Sequence, residues 1–167
     1  MLDIYQKCHP ETYKNIINET SMIEVKTIFL ENNNVQRLPV YATSGSAGFD
    51  FYSVEDVLIK SKDVVVIKTG ISLEIPQGFE LQVRSRSGLA AKNKIFVLNA
   101  PGTIDSDYRG EVCIILANLS DQDFLVSKGD RIAQGVVSRY EKVQFTLSKA
   151  LSETDRGSNG FGSSGIK

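Results

Sequence analysis

The sequence predicts an all-β domain, a sandwich, jelly roll or barrel, with one short helix and a glycine-rich C-terminal arm. Three observations predict it. From Ile23 onward apolar residues recur at every second position, the period of a half-buried strand. Short runs rich in valine, isoleucine and phenylalanine alternate with turn signals, at the spacing of roughly 8–12 residues that marks all-β folds. The last residues, from Arg156 to Gly165, are too poor in apolar groups to join a core.

The 167 residues suit a single core. Hydrophobic residues make up 41% and charged residues 23%, a balance that excludes wholesale disorder. Nineteen Lys and Arg face twenty Asp and Glu, for a net charge of -1. Long nucleic acid is not expected as a partner, because no global basic field is available to hold it. An anionic ligand must instead meet a few placed cations and backbone amides. No apolar run reaches the ~18 residues of a membrane span, so no membrane partner is expected. The acids and polar groups from Asp3 onward are unlike a signal or transit peptide. Cys8, Cys113 and His9 lack zinc-site spacing. With no sign of an oxidising compartment, they predict a reduced cytoplasmic protein without a disulfide.

In chain order, residues 1–22 read as an N-terminal extension of unknown role. Within it 11–20 suits a short helix around Ile16 and Ile17, marginal at that length on its own. A β domain follows over 23–150 and an arm over 151–167. Ile23, Val25, Thr27 and Phe29 make the first strand. Val64–Ile67 and Ile71–Ile75 read as two strands parted by a Thr69-Gly70 turn. Phe79, Leu81 and Val83 make the next. Ser87 is expected to cap a helix through Leu89, Ala90, Ala91 and Lys92. Ile95–Leu98, Phe124–Val126 and Ile132–Val137 are further strands. Val112, Ile114 and Leu116 alternate with Cys113, Ile115 and Ala117, so this strand is expected to be covered on both faces.

Five segments can carry chemistry. In Ala47-Gly48-Phe49-Asp50, the acid suits either a turn or the positioning of water around a metal ion. Arg84-Ser85-Arg86-Ser87-Gly88 ends a strand in two arginines at a helix start, where orphan amides favour phosphate. The segment from Asn99 to Glu111 reads as a hairpin symmetric about Ser106, which sets Asn99 opposite Cys113. Asn99 can pair with a base edge, Asp105 can serve as a general base, and Tyr108 can pack against a sugar. The same residues also suit an ordinary turn. Gln134, in Gly129-Asp130-Arg131-Ile132-Ala133-Gln134, can point at a ligand. In the arm, Arg156 offers a planar fork for phosphate and Phe161 a face for stacking on a base, so the arm suits a lid over a nucleotide.

Taken together these segments resemble the five ordered motifs of the trimeric dUTPase family, over about residues 23 to 165. The resemblance implies a jelly-roll, β-clip-like barrel and a homotrimer with active sites between subunits. It implies hydrolysis of dUTP to dUMP and pyrophosphate with Mg2+, which limits uracil in DNA and supplies dUMP for dTMP synthesis. It implies Asp105 as general base and Asp50 reaching the metal through water. Arg86, Ser87, Gly88 and Gln134 would bind around the α/β phosphates. Asn99, Thr103, Ile104 and Cys113 would read uracil, with Tyr108 on the sugar. Arg156, Phe161, Gly162, Ser163 and Ser164 would close over the substrate. Two residues depart from the pattern: Ser85 stands where many members carry proline, and Asn159 where glycine is usual. A deaminase on a similar fold would need a cytosine C4 activation site, which the sequence does not present.

Overall fold

The structure is a computed structural model that describes residues 22–31, 33 and 35–160. The expected helix at 11–20 lies outside these residues. The described chain contains β1 (Lys26–Phe29), β2 (Val40–Tyr41), β3 (Phe49–Tyr52), β4 (Val57–Ile59), β5 (Val64–Glu74) and β6 (Phe79–Arg84). It continues through α1 (Ser87–Asn93), β7 (Ile95–Val97), β8 (Gly102–Ile104), β9 (Glu111–Asn118), β10 (Phe124–Val126) and β11 (Arg131–Arg139).

These strands form two sheets and a ribbon, of order β1-β5-β9-β7, β2-β3-β11-β6-β8 and β10-β4, and every ladder is antiparallel. One apolar core lies between the sheets. Ile67, Ile95, Ile114 and Leu116 from the first meet Phe51, Leu81 and Ile132 from the second, all essentially without solvent contact. Each such side chain contributes about 1.5–3 kcal/mol by leaving water.

Four expectations are corrected. Thr69-Gly70 is not a turn between strands but a bulge inside the single strand β5, where the register slips between Lys68 and Ser72. Gly70 takes φ +66, and a Cβ there would lie 2.7 Å from the Asn33 side chain, so glycine is required twice over. The bulge is pinned on both sides. Asn33 Nδ2 donates to the Gly70 carbonyl at 2.9 Å, and the Gly70 amide donates to Glu111 Oε1 at 2.8 Å. Bulged strands bend, which lets the first half of β5 pair with β9 and the last part with β1.

Second, Ser87 does not cap α1. Arg86 occupies the cap position in extended conformation with no side-chain cap bond, and Ser87 is the first helical residue. Third, β1 starts at Lys26 rather than Ile23, and Phe29 is exposed. Fourth, the second face of β9 is covered only in part. Val112, Ile114 and Leu116 are buried, as is Ala117 on the other face, whereas Cys113 is exposed and Ile115 half-buried. Among the described residues, regular structure ends at Arg139, and residues 141–159 are exposed.

Candidate active site

The open face of β9 bounds a cavity of about 310 Å3. Asn99, Thr103, Ile104, Asp105, Tyr108 and Cys113 all line it, with Val66, Val97 and Ile115 as apolar wall. The size falls at the lower end of small-molecule sites. Topology brings the six together. β7 and β9 pair through Ile95↔Asn118 and Val97↔Leu116, and the Leu98 amide donates to the Ile115 carbonyl at 2.9 Å. The chain then leaves this sheet. β8 joins β6 in the other sheet, with Thr103↔Gln82 and Ile104↔Leu81, before the chain returns to β9. The expected hairpin symmetric about Ser106 is therefore incorrect. Continuing the β7–β9 register would set Asn99 against Ile114, and Asn99 meets Cys113 across the cavity rather than across a ladder.

Tyr108 and Arg109 beside this cavity are tied to backbone carbonyls. Asn99 lies over Gly102, where a Cβ would come within 3.0 Å of its amide nitrogen. Tyr108 donates its hydroxyl to the Glu111 carbonyl at 3.0 Å, and Arg109 ties the turn by donating to the Ser106 and Tyr108 carbonyls at 2.7 and 2.8 Å. The Asn99 amide and Asp105 carboxylate are exposed in the cavity and, among the described residues, neither holds a hydrogen bond or ion pair. Desolvation, then the Glu111 carboxylate, pushes the Cys113 thiol above its usual range.

A second group gathers where β3, β11 and β6 run side by side. Gln134 on β11 pairs with Asp50 on β3 and Arg84 on β6. Asp50, whose side chain is 14% exposed, is ion-paired to Arg86 at 3.0 Å through one oxygen and to Arg131 at 3.2 Å through the other. Arg86 Nη1 also donates to the Arg131 carbonyl at 2.8 Å. Two guanidinium groups on one carboxylate leave a net positive charge, fixed in place. Gln134 Nε2 donates to the Ser85 carbonyl at 2.8 Å, and a Cβ on Gly48 would lie 2.5 Å from Gln134 Oε1, so its amide is confined. Ser87 and Gly88 are exposed at the start of α1.

The structure thus brings the expected residues into two groups, with no hydrogen bond or ion pair between them among the described residues. It does not bring Arg156 to either. The guanidinium folds back on the arm, where Nε donates to the Asn159 carbonyl at 2.9 Å. Phe161, Gly162, Ser163 and Ser164 lie outside the described residues. Three residues escaped sequence reasoning. Arg131 stands in the same segment as Gln134 and was legible as a second cation. Glu111 ends the expected hairpin, but only the fold shows that it reaches Gly70. Gly48 matters through its contact with Gln134, which nothing local signals.

The comparisons fit this geometry. The family model dUTPase matches residues 35–165. The deoxyuridine 5'-triphosphate nucleotidohydrolase of Helicobacter pylori (strain ATCC 700392 / 26695) is 57% identical over 129 residues, covering 77% of this chain and 89% of the relative. The enzyme of the same description from Orientia tsutsugamushi (strain Boryong) is 48% identical over 147 residues, covering 87% and 99%. Among solved structures, Staphylococcus bacteriophage 80alpha dUTPase with dUPNHPP superposes with a TM-score of 0.74 at 27% identity, covering 88% of this chain and 100% of that one. The fold is of the jelly-roll type and the chain belongs to the dUTPase family, a family of nucleotide hydrolases. It is an enzyme, a dUTP diphosphatase.

Proposed function

We propose that Asp105 activates water for in-line attack on the α-phosphorus of dUTP, giving dUMP and pyrophosphate. The observation that carries this reading is the single cavity where Asn99, Tyr108 and an unengaged Asp105 carboxylate meet. As the water oxygen bonds to the α-phosphorus, its proton passes to Asp105. The bond from that phosphorus to the bridging oxygen breaks, and its electron pair leaves with pyrophosphate. General-base help of this kind is typically worth ~10²–10⁴ in rate.

The Asn99 amide, with backbone at Thr103, Ile104 and Cys113, reads the uracil edge. On this reading the base pocket excludes a 5-methyl group, and Tyr108 against the sugar excludes a 2′-hydroxyl. Arg86, Ser87 and the Gly88 amide hold the α/β phosphates, and Gln134 sits at the α-phosphate and the water. Arg156 clamps the γ-phosphate, Phe161 stacks on the base, and Gly162, Ser163 and Ser164 add hydrogen bonds from the arm. Magnesium, when bound, neutralises phosphate charge. The described residues contain no cluster of three or more acids, histidines or cysteines that could cage it. Both Asp50 oxygens face arginines. Asp50 would be an outer partner of an ion bound with the substrate.

We read the assembly as a cytoplasmic homotrimer, with a body over 23–150 and an arm over 151–167 that closes a neighbour's site. Supporting this are the exposed apolar residues beside the cavity, Val66 at 60% and Leu98 at 52%. Its role is to limit uracil in DNA and to supply dUMP for dTMP synthesis. The test is incubation with dUTP, UTP, dTTP and dCTP plus magnesium in ¹⁸O-labelled water. Only dUTP should be consumed, with the label in dUMP. Label in pyrophosphate would place the attack on the other phosphorus and sink the mechanism.

A further inference from the structure

The two groups of the site are joined at one residue. Ser85 lies between the end of β6 and Arg86. Its hydroxyl oxygen accepts the Val97 amide at 2.9 Å, and its carbonyl accepts Gln134 Nε2 at 2.8 Å. Val97 lines the cavity two residues before Asn99, and Gln134 belongs to the arginine group.

The Val97 amide has no other natural partner. β7 is the edge strand of its sheet. Hydrogen-bonded and non-bonded pairs alternate along an antiparallel ladder. Leu98 donates to Ile115, so Val97, facing Leu116, turns its amide away from β9. Val97 is also nearly fully buried, and a buried amide left without an acceptor is costly. The Val97 carbonyl is taken by the Ala100 amide at 3.2 Å, which continues the same fixed path into the Asn99 segment.

We propose that Ser85 is a positioning residue of the dUTPase site: its hydroxyl holds the strand that presents Asn99, while its carbonyl orients the Gln134 amide. This rests on the reading of the cavity as the base site. Ser85 touches neither base nor phosphate in this scheme; it sets where the two groups stand relative to each other.

The test compares Ser85→Ala with Ser85→Thr in the full-length chain, using dUMP and inorganic pyrophosphate as separate ligands. Ser85→Ala should weaken dUMP binding by about 10-fold, the scale of one hydrogen bond. KM for dUTP should rise by more than kcat falls. Pyrophosphate, which does not enter the base cavity, should change by less than about 2-fold, because the Gln134 bond uses the backbone carbonyl that alanine keeps. Ser85→Thr, which restores a hydroxyl, should recover most of the dUMP affinity. An equal loss for both ligands would mean general loosening and would overturn the proposal, as would unchanged dUMP affinity in Ser85→Ala while Asn99→Ala loses it. If Asn99→Ala also leaves dUMP binding intact, the base-site reading fails, and the proposal falls with it. Hydrogen exchange in the unmodified protein covers the case of a variant that does not fold. The Val97 amide should be protected, and fast exchange there contradicts the bond itself.

Discussion

The cavity lined by Asn99 and Asp105 and the arginine group are built in opposite ways. In the cavity the groups expected to act, Asn99 and Asp105, stand unengaged among the described residues, while Tyr108, Arg109 and Glu111 nearby are tied to backbone. In the arginine group the charged side chains are tied to one another through Asp50. A neutral base is recognised by shape and by hydrogen-bonding groups left open, because a site with its own polar groups stranded rejects the wrong partner strongly. A polyphosphate is met by charge, and guanidinium groups must be kept apart and aimed before it arrives. The carboxylate between them does this at the cost of one unit of positive charge.

The largest break in this comparison should come from the open acid. Asp105→Asn keeps the shape and removes the base, so turnover should fall by ~10²–10⁴ with dUMP binding kept, as read by steady-state kinetics and calorimetry. Next is removal of the arm. Truncation after Asp155 touches no core residue, so the melting temperature should stay within a few degrees. Turnover should drop on the order of 10²-fold from lost positioning, and the triphosphate should lose more affinity than dUMP. Asn99→Ala should cost on the order of 10-fold or more in the preference for dUTP over dCTP, and an unchanged preference would show that base reading lies elsewhere. The smallest effect belongs to the pre-paired side. Asp50→Asn should lower stability by about 1–2 kcal/mol, less than a fully buried pair because Arg131 is half exposed. Denaturant titration at low and high salt checks this, and added salt should narrow the gap.

Strands such as Phe124–Val126 were legible to the residue, because a short β-rich run between turn signals has few other uses. The Gly70 bulge was not, because a glycine that breaks the period looks the same whether the chain reverses or bends. Nor was the passage of β8 into the other sheet, since strand pairing is decided by partners distant in sequence. That Asn99, Asp105 and Tyr108 belong to one segment was legible, and the fold sets all three on the wall of one cavity. That Asp50 binds two arginines was not, because Asp50 and Arg131 are brought together only by the β3–β11 ladder.

The thiol on the cavity wall gives the pocket a chemical reporter. Cys113 is a free cysteine among the described residues, and its raised pKa keeps the nucleophilic thiolate scarce near neutrality. Alkylation by iodoacetamide, followed at the Cys113 peptide by mass spectrometry, should therefore be slow at pH 7 and should accelerate as pH climbs past the range of an ordinary thiol. Saturating dUMP should shield it, while pyrophosphate should not. The occupancy of one half of the site can then be timed separately from the other, without labelling the substrate.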